Sequence, residues 1–151
     1  MDNNVFVDAD HAGNKITRRS HSGIIIFCNI APIDWFSKRQ NTVETFTFTS
    51  EIIALRIAIE KVEALRYKLQ TFGVPIAGPV CDNESVVKST SNVEAKLKKK
   101  HASVLYCKIK CAIASEIVIV YYEPSGTKIA DLLTKVLPIH KRVKLLKCIF
   151  N

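Results

Sequence analysis

The spacing of apolar and polar residues predicts three β-strands near the start of the chain. Residues 5–8 are a short β-prone run, and residues 24–28 are a continuous apolar run rich in β-branched side chains, as in a buried strand. Residues 33–37 form a third run after a tight connection. Because this connection is too short for a crossover, the second and third strands are expected to be antiparallel. The three runs together predict a meander.

The first strand ends in two acids, Asp8 and Asp10. If the strand continues that far, its two-residue period places Phe6, Asp8 and Asp10 on one face. An acid on a core strand is costly unless something compensates its charge, such as a metal ion. The simpler alternative is that the acids mark a strand end and a turn. The pair alone favours that alternative.

A long helix is predicted next, capped by Thr49 or Ser50 and ending near Phe72. Its inward positions recur at helical spacing, and they are Glu51, Leu55, Ala58, Val62, Leu65 and Leu69. Glu51 is therefore expected to point toward the sheet, on the same face of the helix as the apolar side chains that follow it. The helix dipole favours an acid in the first turn but does not explain why it faces inward.

The second half of the chain predicts alternating strands and helices. These are a short strand before Asp82, a helix over 84–90, a helix through 115 that opens on a lysine cluster, a strand over 117–122, a short helix with Asp131, and a basic amphipathic helix after Pro138. A meander followed by β–α units predicts an α/β fold with a mixed sheet. Sites in such sheets form at strand ends near a switch point.

Length and composition indicate one globular domain over residues 1–151, since 48% of the residues are hydrophobic. The five scattered cysteines predict a reducing compartment and no disulfide partner. Cys107 and Cys111 could hold a metal with His101, but buried small hydrophobic residues are the commoner interpretation. Without an apolar run of membrane-spanning length or a signal peptide, no membrane association is expected. The predicted location is intracellular, cytoplasmic or nuclear, and not secreted.

Positive charge is concentrated in the second half of the chain. The formal net charge is +8, of which +1 falls on residues 1–75 and +7 on residues 76–151. A basic half suits a polyanion partner such as nucleic acid. A solvated, solubilising surface is an equally good interpretation of charge alone.

Six short motifs, which cover nearly the whole chain in order, carry a resemblance to a known family. They are residues 7–13, 18–23, 37–44, 50–51, 81–86 and 130–135. Each is weak alone, but six in register are specific. The chain resembles the ribonuclease H domain at the end of a copia-type retrotransposon polyprotein. As the first strand starts almost at residue 1, the chain is expected to be a piece of a longer polyprotein that also carries a reverse transcriptase.

The resemblance implies a ribonuclease H-like fold, a five-stranded mixed sheet flanked by helices. It also implies hydrolysis of the RNA strand of RNA–DNA hybrids during reverse transcription, with two divalent metal ions. The family's catalytic, metal-binding carboxylates fall on Asp8, Glu51, Asp82 and Asp131. Asp10 matches a motif residue that is not usually a ligand and is interpreted as a turn residue.

The chemistry of these residues agrees with that activity. Four clustered carboxylates would repel one another without a cation. Hard oxygen ligands suit Mg²⁺ or Mn²⁺, and two such ions about 4 Å apart can hold a phosphodiester and activate water. Asn83 and Glu84 are candidates for contacts to the hybrid. Lys98, Lys99 and Lys100 are candidates for phosphate contacts.

Three departures from the family pattern keep alternatives open. Residues 123–130 contain no His for the mobile role found in many cellular ribonucleases H, the strand before Asp82 is short, and Tyr106 is followed by Cys107 where relatives often have His. One alternative is a decayed or domesticated remnant that binds nucleic acid without catalysis. Another is a nuclease of the same fold that acts on DNA, against which the motifs argue.

Overall fold

Strands from the first 40 residues form the larger part of the β-sheet. The computed structural model describes residues 3–73, 79–81, 86–87, 100–124 and 126–150. The elements in these ranges are β1 (Asn3–Asp10), β2 (His21–Cys28), β3 (Ala31–Arg39), α1 (Thr47–Gln70), β4 (Pro79–Cys81), α2 (Lys100–Ala114), β5 (Tyr121–Tyr122), α3 (Asp131–Thr134) and α4 (Ile139–Phe150).

The sheet has the strand order β3-β2-β1-β4-β5. β2 pairs antiparallel with both β1 and β3, while β4 pairs parallel with both β1 and β5. β1 therefore lies where the antiparallel meander meets the short parallel part. In this register Asp8 is opposite Gly23 of β2, and Val7 is opposite Cys81 of β4. The carboxyl end of β1 is the kind of switch point at which a site is expected.

β1 and β2 are longer than their apolar runs predict. β1 continues to Asp10, which pairs with His21, so the interpretation of Asp10 as a turn residue is wrong. β2 begins at His21, three residues before the apolar run over residues 24–28 that predicted it. The reason is that strands pair through their main-chain N–H and C=O groups. A polar side chain does not prevent this pairing.

The inward stripe of α1 is confirmed at its first four positions. Glu51 is 4% exposed, and Leu55, Ala58 and Val62 are fully buried. The predicted cap is wrong, because the helix begins at Thr47 and its N-cap, Phe46, makes no side-chain capping hydrogen bond.

β1 separates two apolar clusters because alternate side chains point to opposite faces of the sheet. On one face, Val5, Val7 and Ala9 belong to the main core with α1 and α2. On the other face, Phe6 packs edge-on against Phe27, with ring centroids 5.6 Å apart. Asp8 shares the second face by alternation, the face that the region of α3 covers.

The end of the sheet is shorter than predicted. The strand predicted over residues 117–122 is confined to Tyr121–Tyr122. Its partner β4 has only three residues, as expected. Two of them, Val80 and Cys81, pair with Tyr121 and Tyr122. Val118 is nevertheless 2% exposed, so apolar side chains of this run are buried without forming a ladder.

The helices of the second half agree in part with prediction. α2, α3 and α4 lie where helices were expected, and Val86–Val87 are helical, but the rest of the helix predicted over 84–90 lies outside the described residues. Cys107 and Cys111 are exposed free thiols, so their interpretation as buried hydrophobic residues is wrong. Within the described ranges, no helix has the length and apolar character needed to cross a membrane.

Candidate active site

One lysine joins two buried carboxylates from distant parts of the chain. Lys135 Nζ lies 3.1 Å from Oδ1 of Asp8 and 2.8 Å from Oδ1 of Asp131. Asp8 is 1% exposed and Asp131 is 3% exposed. Asp131 is the first residue of α3, and Lys135 follows its last residue, so the spacing of four places both on one side of the helix. The structure therefore brings two of the four predicted carboxylates together.

Two further side chains complete the surroundings of this pair. Thr134 donates its hydroxyl to Oδ2 of Asp8, and Lys141 Nζ lies 2.7 Å from Oδ2 of Asp131. Each of the four oxygens of Asp8 and Asp131 thus has a donor beside it. We infer that both carboxylates are held ionised, in an environment where an uncompensated charge would be costly.

Electrostatics support this assignment of charge. Burial acts to raise the pKa of Asp131, but hydrogen bonds from Lys135 and Lys141, together with their positive charges, outweigh burial and lower it. Burial acts to lower the pKa of Lys135, but hydrogen bonds to Asp131 and Asp8, with their negative charges, raise it above its ordinary value. The group is therefore an ion-pair cluster at neutral pH.

A glycine allows α3 to approach the sheet. A Cβ atom added to Gly23 would lie 2.6 Å from Cγ2 of Thr134, 2.9 Å from Cβ of Leu133 and 3.0 Å from the carbonyl oxygen of Ala130. A side chain at this position would push the helix away from β2. Because Gly23 pairs with Asp8, the same close approach brings Thr134 to the carboxylate.

A second contact ties α3 to the meander. Ser37 donates its hydroxyl proton to the carbonyl oxygen of Leu133 at 2.7 Å. His21 Nε2 lies 2.9 Å from the same hydroxyl, which has no second proton, so the imidazole is the donor. β2, β3 and α3 are thereby linked at the edge of the candidate site.

Glu51 is held near the same end of the sheet by the residue before it. The Ser50 hydroxyl lies 2.9 Å from His11 Nδ1 and 2.9 Å from the Ser20 hydroxyl, and the Ser50 carbonyl accepts a 2.9 Å hydrogen bond from Gln40 Nε2. These bonds connect the first turns of α1 to the segments that follow β1 and β3. Ser50 is thus an interior residue of α1, and its hydroxyl belongs to this network.

The remaining predicted site residues cannot be placed in the cluster. Asp82, Asn83, Glu84, Lys98 and Lys99 lie outside the described residues. Lys100 begins α2, but its side chain is likewise outside the described part. Among the side chains that are described, no group of three or more His, Cys, Asp or Glu is arranged to hold a metal ion.

A groove of about 750 Å³ opens beside the carboxylates. Thr134, which contacts Asp8, is part of its wall. Its wall carries the cations Arg19, Lys38 and Arg39, the imidazole of His21 and one acid, Asp10. The groove thus places positive charge next to Thr134, the residue that is bonded to Asp8, and positive charge attracts a polyanion.

Several of these residues were missed from the sequence. Lys135 could have been found, since an acid and a lysine four apart on a helix are a recognised pair. Thr134 lies within the motif over residues 130–135 but has no local sign of its contact with Asp8, and Lys141 has no comparable signal. The cations of the groove were missed because the first half of the chain has almost no net charge, which hides a local concentration.

The chain is similar in sequence to polyproteins of plant transposons, although no family model matches it. It is 30% identical over 138 residues to the retrovirus-related Pol polyprotein from transposon TNT 1-94 of Nicotiana tabacum, a match that covers 90% of the chain. The chain spans about 10% of the length of that polyprotein.

Solved ribonuclease H structures share the fold. The LC11 ribonuclease H1 isolated from compost superposes with a TM-score of 0.68 at 20% identity, covering 88% of this chain and 92% of that one. The foamy viral protease–reverse transcriptase in complex with an RNA/DNA hybrid gives 0.61 at 17% identity, covering 88% of this chain and 19% of that one. The chain therefore has a ribonuclease H-like fold and is similar in sequence to the retrovirus-related Pol polyproteins of plant transposons.

Proposed function

We propose that the chain hydrolyses the RNA strand of RNA–DNA hybrids during retrotransposon reverse transcription. The observation that carries the proposal is the convergence of the buried carboxylates of Asp8 and Asp131 at the edge of a basic groove. A relative in the Pol family and a structural neighbour solved with an RNA/DNA hybrid support this substrate. The reverse transcriptase of the same polyprotein is the proposed functional partner.

The proposed metal ligands are Asp8, Glu51, Asp82 and Asp131. The donor set fits Mg²⁺ or Mn²⁺, because ionised carboxylate oxygens are the ligands these hard ions prefer. A pair of such ions supplies charge neutralisation at the phosphodiester and a water that is easily deprotonated.

The residues around the carboxylates have separate tasks in this proposal. Thr134 orients the Asp8 carboxylate through its hydroxyl, and Gly23 lets the helix carry it there. Ser50 fixes the start of α1, and with it the direction of Glu51. These contacts hold the backbone and the carboxylates of the site in position before the substrate binds.

The groove is the proposed site for the hybrid backbone. Arg19, Lys38 and Arg39 are exposed cations on its wall. Such cations hold phosphates without reading sequence, while discrimination between RNA and DNA depends on shape and on the 2′-hydroxyl. Lys98, Lys99 and Lys100, with Asn83 and Glu84, remain proposed contacts from the second half of the chain.

The decisive experiment measures cleavage of a labelled RNA–DNA hybrid with Mg²⁺ or Mn²⁺. Asp8→Asn is expected to lower the cleavage rate at least about 100-fold, because groups that only support metal ligands are already worth 10- to 100-fold. Asp34→Asn is the matched control, since Asp34 is a partly exposed acid paired with Lys61. The control is expected to cleave like the parent.

Other results would select another function. Salt-sensitive binding of the hybrid by the folded protein, with no cleavage under either metal, would support the non-catalytic remnant. Faster cleavage of duplex DNA than of hybrid would support a DNA nuclease. Equal cleavage by the parent and Asp8→Asn would contradict the proposed site.

A further inference from the structure

We propose that Lys135 is a built-in counter-ion that occupies the candidate metal site and must leave it before a divalent cation can bind. The inference rests on the proposed function, since it concerns the same carboxylates. It adds a residue to the four acids. Lys135 does not bind the metal ion but competes with it for Oδ1 of Asp8 and Oδ1 of Asp131.

The first argument is electrostatic. Asp8 and Asp131 are both almost fully buried, and two ionised carboxylates in such a setting repel each other strongly. Lys135 Nζ contacts one oxygen of each, at 3.1 Å and 2.8 Å. The Lys135 ammonium therefore bridges the two carboxylates, and with Lys141 on Asp131 it balances their two negative charges when no metal ion is bound.

The second argument concerns competition. The ammonium of Lys135 is bonded to the same kind of oxygen that a hard divalent cation prefers. A positive charge held between two carboxylates also repels any other cation that approaches them. Lys135 therefore lowers the affinity of the site for metal for as long as it remains there.

The third argument is that Lys135 is able to leave. It follows the last residue of α3, and its backbone is extended, with φ −127° and ψ 149°. Its side chain is 35% exposed, whereas those of Asp8 and Asp131 are 1% and 5% exposed. A flexible lysine stem at a helix end can turn into solvent without moving the carboxylates. Lys141 contacts the other oxygen of Asp131, Oδ2, and keeps that contact when Lys135 leaves.

The test is direct measurement of Mn²⁺ binding by calorimetry on the full chain, which does not depend on activity. Lys135→Met removes the charge and keeps most of the stem, so its Kd for Mn²⁺ is expected to fall about tenfold or more. Lys135→Arg keeps a cation and is expected to bind Mn²⁺ like the parent.

Thermal unfolding supplies a second measurement on the same proteins. In EDTA, Lys135→Met is expected to have a lower Tm than the parent, and added Mn²⁺ is expected to raise its Tm by more than it raises the parent's. The matched control is Lys61→Met, which loses a 2.8 Å ion pair to Asp34 elsewhere. It is expected to leave both the Kd and the Mn²⁺-induced rise in Tm unchanged.

The outcomes separate this inference from the proposed function. Equal or weaker Mn²⁺ binding by Lys135→Met, with clear binding by the parent, would overturn the inference alone. An absence of Mn²⁺ binding in both proteins would overturn the inference and the metal-dependent function together. If Lys135→Met does not fold with or without Mn²⁺, Lys135→Gln is measured against the same criteria.

Discussion

Gly23 lies directly opposite Asp8 in the β1–β2 ladder, and its missing side chain is the space into which α3 packs. The residues that approach Gly23 are Ala130, Leu133 and Thr134. These residues flank Asp131 in the sequence. The position of the Asp131 carboxylate therefore depends on the absence of a Cβ atom at Gly23, the partner of Asp8 in the ladder.

Gly23→Ala is therefore expected to destabilise the protein and to reduce activity. The new methyl group would meet the Ala130 backbone and Leu133 Cβ within 3.0 Å, and such overpacking costs about 1–3 kcal/mol. Urea unfolding measures the loss of stability. Gly126→Ala is the matched control, because no atom of the described residues lies within 4 Å of its added Cβ. Equal stability of the two variants would contradict the close approach of α3.

Ser50→Ala is expected to lower the free energy of unfolding by about 1–3 kcal/mol. The substitution leaves the buried hydroxyl of Ser20 and the ring of His11 without this hydrogen-bond partner. Chemical denaturation is the measurement. Thr71→Ala also removes a hydroxyl, but from an exposed helix end, and should change stability by less than about 0.5 kcal/mol. A similar loss in both variants would argue against the Ser50 network.

Substitution of the groove cations is expected to weaken hybrid binding and its dependence on salt. Arg19→Ala and Lys38→Ala should each reduce the slope of log K against log salt by about 1, because each removes one phosphate contact. Fluorescence anisotropy in the Asp8→Asn background measures binding without cleavage. Lys68→Ala, a cation in the last turn of α1 that does not line the groove, is the control. An unchanged slope in Arg19→Ala and Lys38→Ala would place the hybrid elsewhere.

The His21 side chain predicts a pH dependence of stability. Burial lowers the pKa of His21 below its ordinary value of 6.5, Asp10 acts to raise it, and Arg39 acts to lower it. The folded protein therefore binds fewer protons at this residue than the unfolded chain does near and just below pH 6.5. Stability should fall as the pH drops through 6.5 and level off below the folded pKa.

The comparison of parent and His21→Gln isolates this contribution. Between pH 8 and pH 5, the parent is expected to lose more unfolding free energy than the variant, whose amide can still donate to Ser37. Urea titrations at each pH provide the measurement. A larger loss of unfolding free energy in His21→Gln than in the parent would mean that folding raises the pKa of His21, which contradicts the prediction.

The sequence by itself determined which faces of the main elements are buried. The inward stripe of α1, including Glu51, follows from helical spacing, and the antiparallel meander follows from short connections between apolar runs. These features depend on local periodicity, which the order of residues encodes directly. The ends of strands were less predictable, as Asp10 and His21 show, since pairing of the main chain ignores side-chain polarity.

Only the tertiary structure decided what surrounds the candidate carboxylates. Lys135 and Asp8 are 127 residues apart in the chain, and neither position carries a local sign of the other. Their contact depends on the approach of α3 to Gly23 and on the Ser37–Leu133 hydrogen bond. Each of these joins segments that are distant in sequence. The sequence shows where the acids are, but not which cations pair with them. A buried charge has to be compensated, and the tertiary fold decides which lysine comes within reach.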